Sequence, residues 1–532
     1  MRSVWAVVLT GVLGGTVGCS DALVPPETAK MDVAPALADG PDWAHPGPVT
    51  GCKPKPAAYT QAPCGTYESF DLSACNVASL GRVSGAGLYA AHVVFHVPRL
   101  EPISFPSALR VSTDGGVSNL DIVSFNEQQL ADDRFYLART SSRPDGGSSA
   151  VVLVGCEASA DGLSVNGCYQ QCNNGRSRFV GTFEAVRSER PAAEAEGSGM
   201  TLLSESDVGS EFAADVYVTK GHAYVVSIPQ GDEPGGLAVL DVRDPRAPVL
   251  RKTMVFPQDN YWNGVWAKDD ALYVASGDSG VLVFDISEPA DPRLLRAVPG
   301  SEGPLDVHTV IVEGDRLYAM SPYPNAETLI FDVKDAKAPR LLTRYVLPGV
   351  DPSRGDQYPH DAFPFENRLY ISHLGAGYVI ADVRDTEAVH EVGAYLYPRS
   401  TSHASRVMRR GRQLIAFEGG EDWNAHLRVL DVTDPAVPRL LGEYRLRPGI
   451  SIHNMELKGK RLYLSHYQGG VRVLDVTVPS LPREVGHYNT FAPDHPKSGK
   501  TFYEGAIGIR VPGDGYVYVV DSARGLLIFP EL

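Results

Sequence analysis

Beyond position 172 the 532-residue chain has no cysteine, so its last two-thirds can hold neither a disulfide nor a thiolate metal centre. Positive charge is also scarce. Lys and Arg number 48 against 64 Asp and Glu, a formal net charge of −16, and no basic stripe gathers the cations on one segment. The electrostatic term that supplies most non-specific nucleic-acid binding is therefore missing, which excludes DNA and RNA as partners. After the first 17 residues no apolar run reaches the roughly 18 to 20 residues of a membrane-spanning helix. Nor is there a Walker loop, a dinucleotide fingerprint after a strand, an HExxH pair or an EF-hand loop, which removes the commonest nucleotide and metal motifs. What remains is the composition of a soluble globular protein, 43% hydrophobic and 21% charged, with 53 Gly and 40 Pro. That density of turn formers predicts short strands rather than long helices.

The amino terminus reads as an export signal over 1–18. Arg2 supplies the positive start, Val4 to Val17 is apolar, and Gly18 precedes Cys19. Thr16-Val17-Gly18-Cys19 resembles the cleavage box of bacterial lipoproteins, apart from Thr16 where leucine is usual. The resemblance implies lipidation of Cys19, anchoring in the cell envelope at the outer membrane, and membrane contact through that lipid only; the other reading is an ordinary cleaved secretory signal. Residues 19–63, rich in Pro, Ala, Gly and Asp, read as a flexible tether. Residues 64–187 carry short alternating runs such as Ala150-Val151-Val152-Leu153-Val154 and are expected to form a small β-rich domain. Cys52, Cys64, Cys75, Cys156, Cys168 and Cys172 form an even set in an exported chain, so up to three disulfides are expected, with 15 pairings open. Residues 188–199 read as a linker.

From 200 to 532 the chain repeats every 44 to 52 residues or so, the spacing of four-stranded propeller blades. One strand of each repeat is β-branched and ends in aspartate, as in Leu237-Ala238-Val239-Leu240-Asp241, Val281-Leu282-Val283-Phe284-Asp285 and Val471-Arg472-Val473-Leu474-Asp475. Asp332, Asp382 and Asp431 close three more, and Leu526-Leu527-Ile528-Phe529 ends a seventh without its aspartate. A preceding strand is marked by Tyr224, Tyr273, Tyr318, Tyr370, Leu414, Tyr463 and Tyr518. These runs resemble the LVIVD-repeat family, and the resemblance implies an all-β, seven-bladed propeller preceded by a small disulfide-containing β domain. Because the last repeat stops after three strands, an earlier segment must pair with it. Thr201-Leu202-Leu203-Ser204-Glu205 matches the outer-strand pattern, with Arg178–Phe183 its rival.

In an antiparallel blade the start of the first strand lies beside the end of the second. Aligned across the repeats, the first position holds Asn263, His308, His360 and His453, with His403 one residue out of step and Glu504 opening the last blade. The second holds His373, Glu418, His466 and Asp521. All are expected at one mouth of the central channel. An insertion, Glu418-Gly419-Gly420-Glu421-Asp422-Trp423-Asn424-Ala425-His426, projects there with an exposed-looking Trp423.

Two functions follow from that mouth. It can act as a monomeric, non-enzymatic binding module for a protein, glycan or small molecule, with the histidines as a hydrated polar ring and no cofactor. Alternatively His308, His360, His403 and His453 can ligate Zn, Cu or Fe, since neutral imidazole suits all three, as the centre of an oxidoreductase or lyase. Close approach of the imidazoles favours the metal, and separation favours the scaffold. The repeated strand-end aspartates read as turn formers that bond the backbone two residues on.

Overall fold

The computed structural model describes residues 39–43, 52–55, 63–83, 86–95, 103–113, 115–143, 146–210, 212–300 and 304–532. The expected export signal, Cys19 and most of the expected tether lie outside them. Regular structure among the described residues is β throughout, apart from three short 3-10 turns at Tyr67–Ser69, Val77–Arg82 and Pro352–Arg354.

Nine strands between Gly87 and Arg187 form one antiparallel sheet. Its middle is built from Gly87–Phe95, Arg176–Arg187, Ser164–Asn173 and Ser148–Ala158. The sheet curls until its edges meet, because Gln128 on one edge strand bonds the carbonyls of Ser112 and Gly116 and accepts from Ser118 on the other side. Leu80, Tyr89, Leu109, Phe135, Leu153 and Phe183 fill the inside. Three disulfides, Cys52–Cys168, Cys64–Cys172 and Cys75–Cys156, staple the segment before the sheet to its two central strands. The resolved pairing is one of the 15 that spacing leaves open.

The propeller has seven four-stranded blades. Blade 1 runs Ala213–Thr219, His222–Ser227, Gly236–Asp241 and Val249–Met254, and the others repeat the order. Each innermost strand faces the axis, and hydrophobic residues alternate towards the neighbouring blades on either side. Every one of the seven blade–blade interfaces has its own buried layer, including the joint between blade 7 and blade 1, where Tyr518, Val520 and Ile528 meet Val216, Val225 and Leu240. The repeated tyrosine bridges those layers. Tyr224 donates to the carbonyl of Pro289 in the next blade and Tyr273 to that of Ala336, so a large apolar ring is buried without orphaning its hydroxyl. The strand-end aspartates behave as turn formers, with Asp241, Asp285, Asp332, Asp382, Asp431 and Asp475 each accepting from the amide two residues later.

Ring closure uses Ser204–Ser206, which pairs antiparallel with Gly525–Pro530 in the register Ser204↔Ile528, Glu205↔Leu527, Ser206↔Leu526. The rival Arg178–Phe183 is inside the nine-stranded sheet. The segment between the two sheets is itself bound: Gly197–Ser198 adds a fifth strand to blade 6, and Glu194 pairs with Arg472.

The disulfides close loops spanning 81 to 116 residues of sequence, which restricts the unfolded chain strongly. The Cys64→Ala/Cys172→Ala variant is expected to lose roughly 2 to 5 kcal/mol, seen by calorimetry as a lower unfolding temperature for the nine-stranded sheet. An unchanged thermogram would contradict the staple.

Candidate functional site at the channel mouth

His308, His360 and His453 occupy equivalent places. Each sits just before its blade's first strand and donates its backbone amide to the end of the second, at Met320, Ser372 and Ser465 respectively. His403 is out of step because it is the extra residue of a β-bulge, between the pairs Ser402↔Gly420 and Ala404↔Gly419. Asn263 is the bulged residue of blade 2 in the same way. A bulge re-aims one side chain, and here it aims both towards the axis.

The four imidazoles form a continuous arc. Ring centroids are 4.1 Å apart for His308–His360, 4.0 Å for His360–His403 and 4.5 Å for His403–His453. Glu421 reaches over them from the blade 5 insertion. Its Oε2 lies 3.3 Å from His403 Nε2 and 4.0 Å from His360 Nε2, and its Oε1 lies 3.7 Å from His453 Nε2. Tyr467 donates its hydroxyl to the same carboxylate. His360, His403 and Glu421 each present a ligand atom within 4.8 Å of the other two.

The histidines differ in how their nitrogens are committed. His453 Nδ1 is 2.9 Å from the carbonyl of Ile507; a carbonyl only accepts, so the proton is on Nδ1 and Nε2 keeps a free lone pair. His308 Nε2 faces the amide nitrogen of Asn263 at 3.1 Å, and that nitrogen also donates to the His308 carbonyl. The lone pair of His308 is therefore already in use. His403 turns its Nε2 to the Glu421 carboxylate, at 3.3 Å. Burial holds these imidazoles neutral, lowering His308 to about 4, His403 and His453 to about 3, and His360 well below its usual value. It raises the carboxyl of Glu421.

Below the arc the channel is plugged. Arg510 bridges Asp215 at 3.0 Å and Glu456 at 3.2 Å, and Arg406 pairs with Glu456 at 2.9 Å. Arg510 also lies over the ring of Trp266, 5.0 Å from its centroid. The void left among these groups is about 40 Å³. Burial pushes Asp361, on the same wall, up to about 6. Above the arc a larger cavity of about 360 Å³ opens.

The positions at the second-strand ends do not join the arc. Glu418 accepts from Tyr397, and burial raises it to about 7. Glu504, at the opening of blade 7, does not join the arc either: it accepts the amides of Gly499, Lys500 and Thr501, tying its own loop. Asp521 accepts from Thr490 and the amides of Ala523 and Arg524. His373 and His466 are buried where their amides close tight turns to Gly377 and Gly470. Trp423 is not exposed but 2% accessible. It stacks on His92 of the nine-stranded sheet, centroids 5.2 Å apart and planes 9° from parallel, in a cluster with Trp43, Ala90, Val94 and Phe502. The expectation of an exposed aromatic failed because the covering surface comes from over three hundred residues upstream, where no local pattern signals it. At the end of the insertion His426 contacts Asp42 at 2.6 Å and Glu443 at 3.2 Å. Arg428 holds Asp39 and Asp42 at 2.9 and 3.0 Å.

With this geometry in place, the family described as LVIVD repeat matches residues 261–298, 421–445 and 452–490. Those three stretches of the propeller are LVIVD repeats. Its similarity to solved structures is of low identity. The computationally designed Ika8 protein is 12% identical, covering 62% of this chain and 99% of its own, with a TM-score of 0.43. A chain of a mitotic checkpoint complex is 13% identical, covering 64% and 98%, at 0.46. The WD40 β-propeller domain of Doa1 is 11% identical, covering 63% and 98%, at 0.46. Likeness at this level says nothing of what the LVIVD-repeat chain binds. No curated protein matches it.

His466 and His373, lowered by burial to about 3 and about 4, give a signed pH dependence. Below about pH 6.5 the unfolded chain protonates these imidazoles and the folded chain does not, so each removes up to ~1.4 kcal/mol of stability per pH unit as pH falls towards its folded value. Buried acids such as Glu504, raised to about 7, act in the opposite direction, so the test is a difference. Urea midpoints from pH 7.5 to 5 should fall less steeply for His466→Asn than for the parent, by about one proton. Parallel profiles would show that His466 is not buried neutral.

Proposed function

We propose that the chain is an exported protein whose propeller holds a transition-metal ion at the head of its channel through His360, His403, His453 and Glu421. The observation that supports this most directly is the spacing of the ligand atoms. Bonds of 2.0 to 2.1 Å in a tetrahedral site put ligand atoms roughly 3.3 Å apart, and the separations from the Glu421 oxygens to the three imidazoles are 3.3, 3.7 and 4.0 Å. A contraction of up to about 0.7 Å would bring all three carboxylate-to-imidazole separations to that value. Imidazole with one carboxylate suits Zn, Cu or Fe. The backbone bond of His453 Nδ1 is the outer contact that fixes a ligand's tautomer.

Propeller folds commonly serve as binding scaffolds, and three disulfides indicate an oxidising, extracellular or periplasmic setting. Among the described residues no helix is long and apolar enough to cross a membrane. Lipidation of Cys19 and anchoring at the outer membrane belong to the same proposal; the Gly18-Cys19 box supports them, and a Cys19→Ala variant released from the membrane fraction is the check. The cavity that opens directly on His360, His453 and Glu421 favours a second reading, a metal-dependent oxidoreductase or lyase, because a bound ion would keep a position open to it.

Elemental analysis decides the metal. Protein purified without a histidine tag should contain about one equivalent of Zn, Cu or Fe after reconstitution, and His403→Ala or Glu421→Gln should weaken binding by at least ~100-fold. His390→Ala, on the exposed outer strand His390–Tyr395 of blade 4, should bind as the parent does. Metal content near zero, or equal losses from all three variants, would end the reading.

A further inference from the structure

The cavity over the imidazole arc has a volume of about 360 Å³, within the range of small-molecule sites. The ion-paired plug beneath leaves only about 40 Å³, so a ligand can enter and leave by the upper mouth alone, past Tyr261, which is 38% exposed. Tyr261, Tyr358, Tyr467 and Tyr503 supply much of the wall, with Phe212 and Ile228. Among the described residues no Lys or Arg lines the cavity, and Glu421 is the one acid there. A carboxylate or phosphate would therefore lose its hydration with no cation to replace it, and Glu421 would repel it. A tyrosine hydroxyl is un-ionised near neutral pH, so the four rings offer flat apolar faces with neutral hydroxyls at the tips. Such a wall also lacks the fixed negative charge that would pair an organic cation once Glu421 is neutralised by a metal.

We infer that this cavity binds an uncharged aromatic molecule carrying a hydroxyl, a phenol, with its ring against the tyrosine wall and its oxygen turned towards His360, His453 and Glu421. The orientation of the oxygen and the exclusion of a cation rest on the metal reading above, whereas the exclusion of an anion rests on the wall alone.

Full-length protein, stripped of metal by chelation and separately loaded with Zn(II), is titrated by calorimetry with phenol, benzoate and benzyltrimethylammonium. In the stripped protein phenol should bind at least ~10-fold more tightly than benzoate. With Zn(II) bound and Glu421 neutralised, phenol should bind more tightly than benzyltrimethylammonium as well, and about tenfold more tightly than it does to the stripped protein. Tyr358→Ala should weaken phenol binding about tenfold. Gln230→Arg, which places a cation on the wall without removing a ring, should reverse the order of phenol and benzoate. Benzoate binding as tightly as phenol to the stripped parent, or the ammonium binding as tightly as phenol to the Zn(II)-loaded protein, would overturn the inference, as would a Gln230→Arg protein with unchanged preference. Phenol selectivity that persists with no effect of Zn(II) would support the wall's role and overturn the metal reading instead.

Discussion

Seven wedge-shaped sheets can bury both their faces only if the last meets the first, and in this chain that meeting depends on three residues. Ser204–Ser206 completes blade 7 from the far end of the propeller sequence, so the joint is made of elements over three hundred positions apart. Without it, the strand Gly525–Pro530 would expose an unpaired edge, and the layer shared by Val520, Ile528, Val216 and Val225 would open to water. The ion pair of Arg524 with Glu205 lies across the same joint, but it is partly solvated and contributes little beside the buried layer. Closure is therefore mainly a matter of backbone pairing and apolar burial.

Closure also fixes the electrostatics of the axis. Once the innermost strands face one another, every polar side chain they project is removed from bulk water, and its charge state follows from what it can find there. Low in the channel the answer is pairing: Arg510 and Arg406 neutralise Asp215 and Glu456. At the head no cationic side chain lies beside the arc among the described residues. The imidazoles are neutral, and Glu421 is shared between them and Tyr467. Two layers a few ångströms apart thus resolve burial differently, one as a satisfied network and one with lone pairs left over. The leftover lone pairs are what distinguish a site from a seal.

How much of this could be read from residues alone depended on whether the signal was periodic. The blade count, the closing strand and the turn role of Asp285 or Asp475 were legible because each recurs once per repeat. The arc was legible for the same reason, and even the misfit of His403 was visible as a shift of one position, which a bulge explains. Glu421 and Trp423 were not separable, because both lie in a single insertion with no counterpart in other blades. Sequence pattern puts the aromatic outward and favours Glu418 by its register, yet Glu418 faces Tyr397 and Arg428 while Glu421 covers the histidines. Tyr358, Tyr467 and Tyr503 were likewise hidden. They sit in loops, where neither the period of two nor the repeat length says which way a ring points.

The placement of Glu421 in turn reaches outside the propeller. Two residues after it, Trp423 is clamped between His92 and Phe502, and the end of the insertion is tied through His426 and Arg428 to Asp39 and Asp42. His92 is held by the strand Gly87–Phe95, which pairs along its whole length in the nine-stranded sheet, and that sheet is stapled by three disulfides. Propeller and small domain also meet through Arg110 on the carbonyl of Ser498 and Arg447 on those of Ser188 and Glu189. A carboxylate that must sit within a few tenths of an ångström of its partners tolerates little play in its support. In this chain that support runs through one stacked indole to a sheet held by three disulfides, although the residues of the arc themselves contain no sulfur.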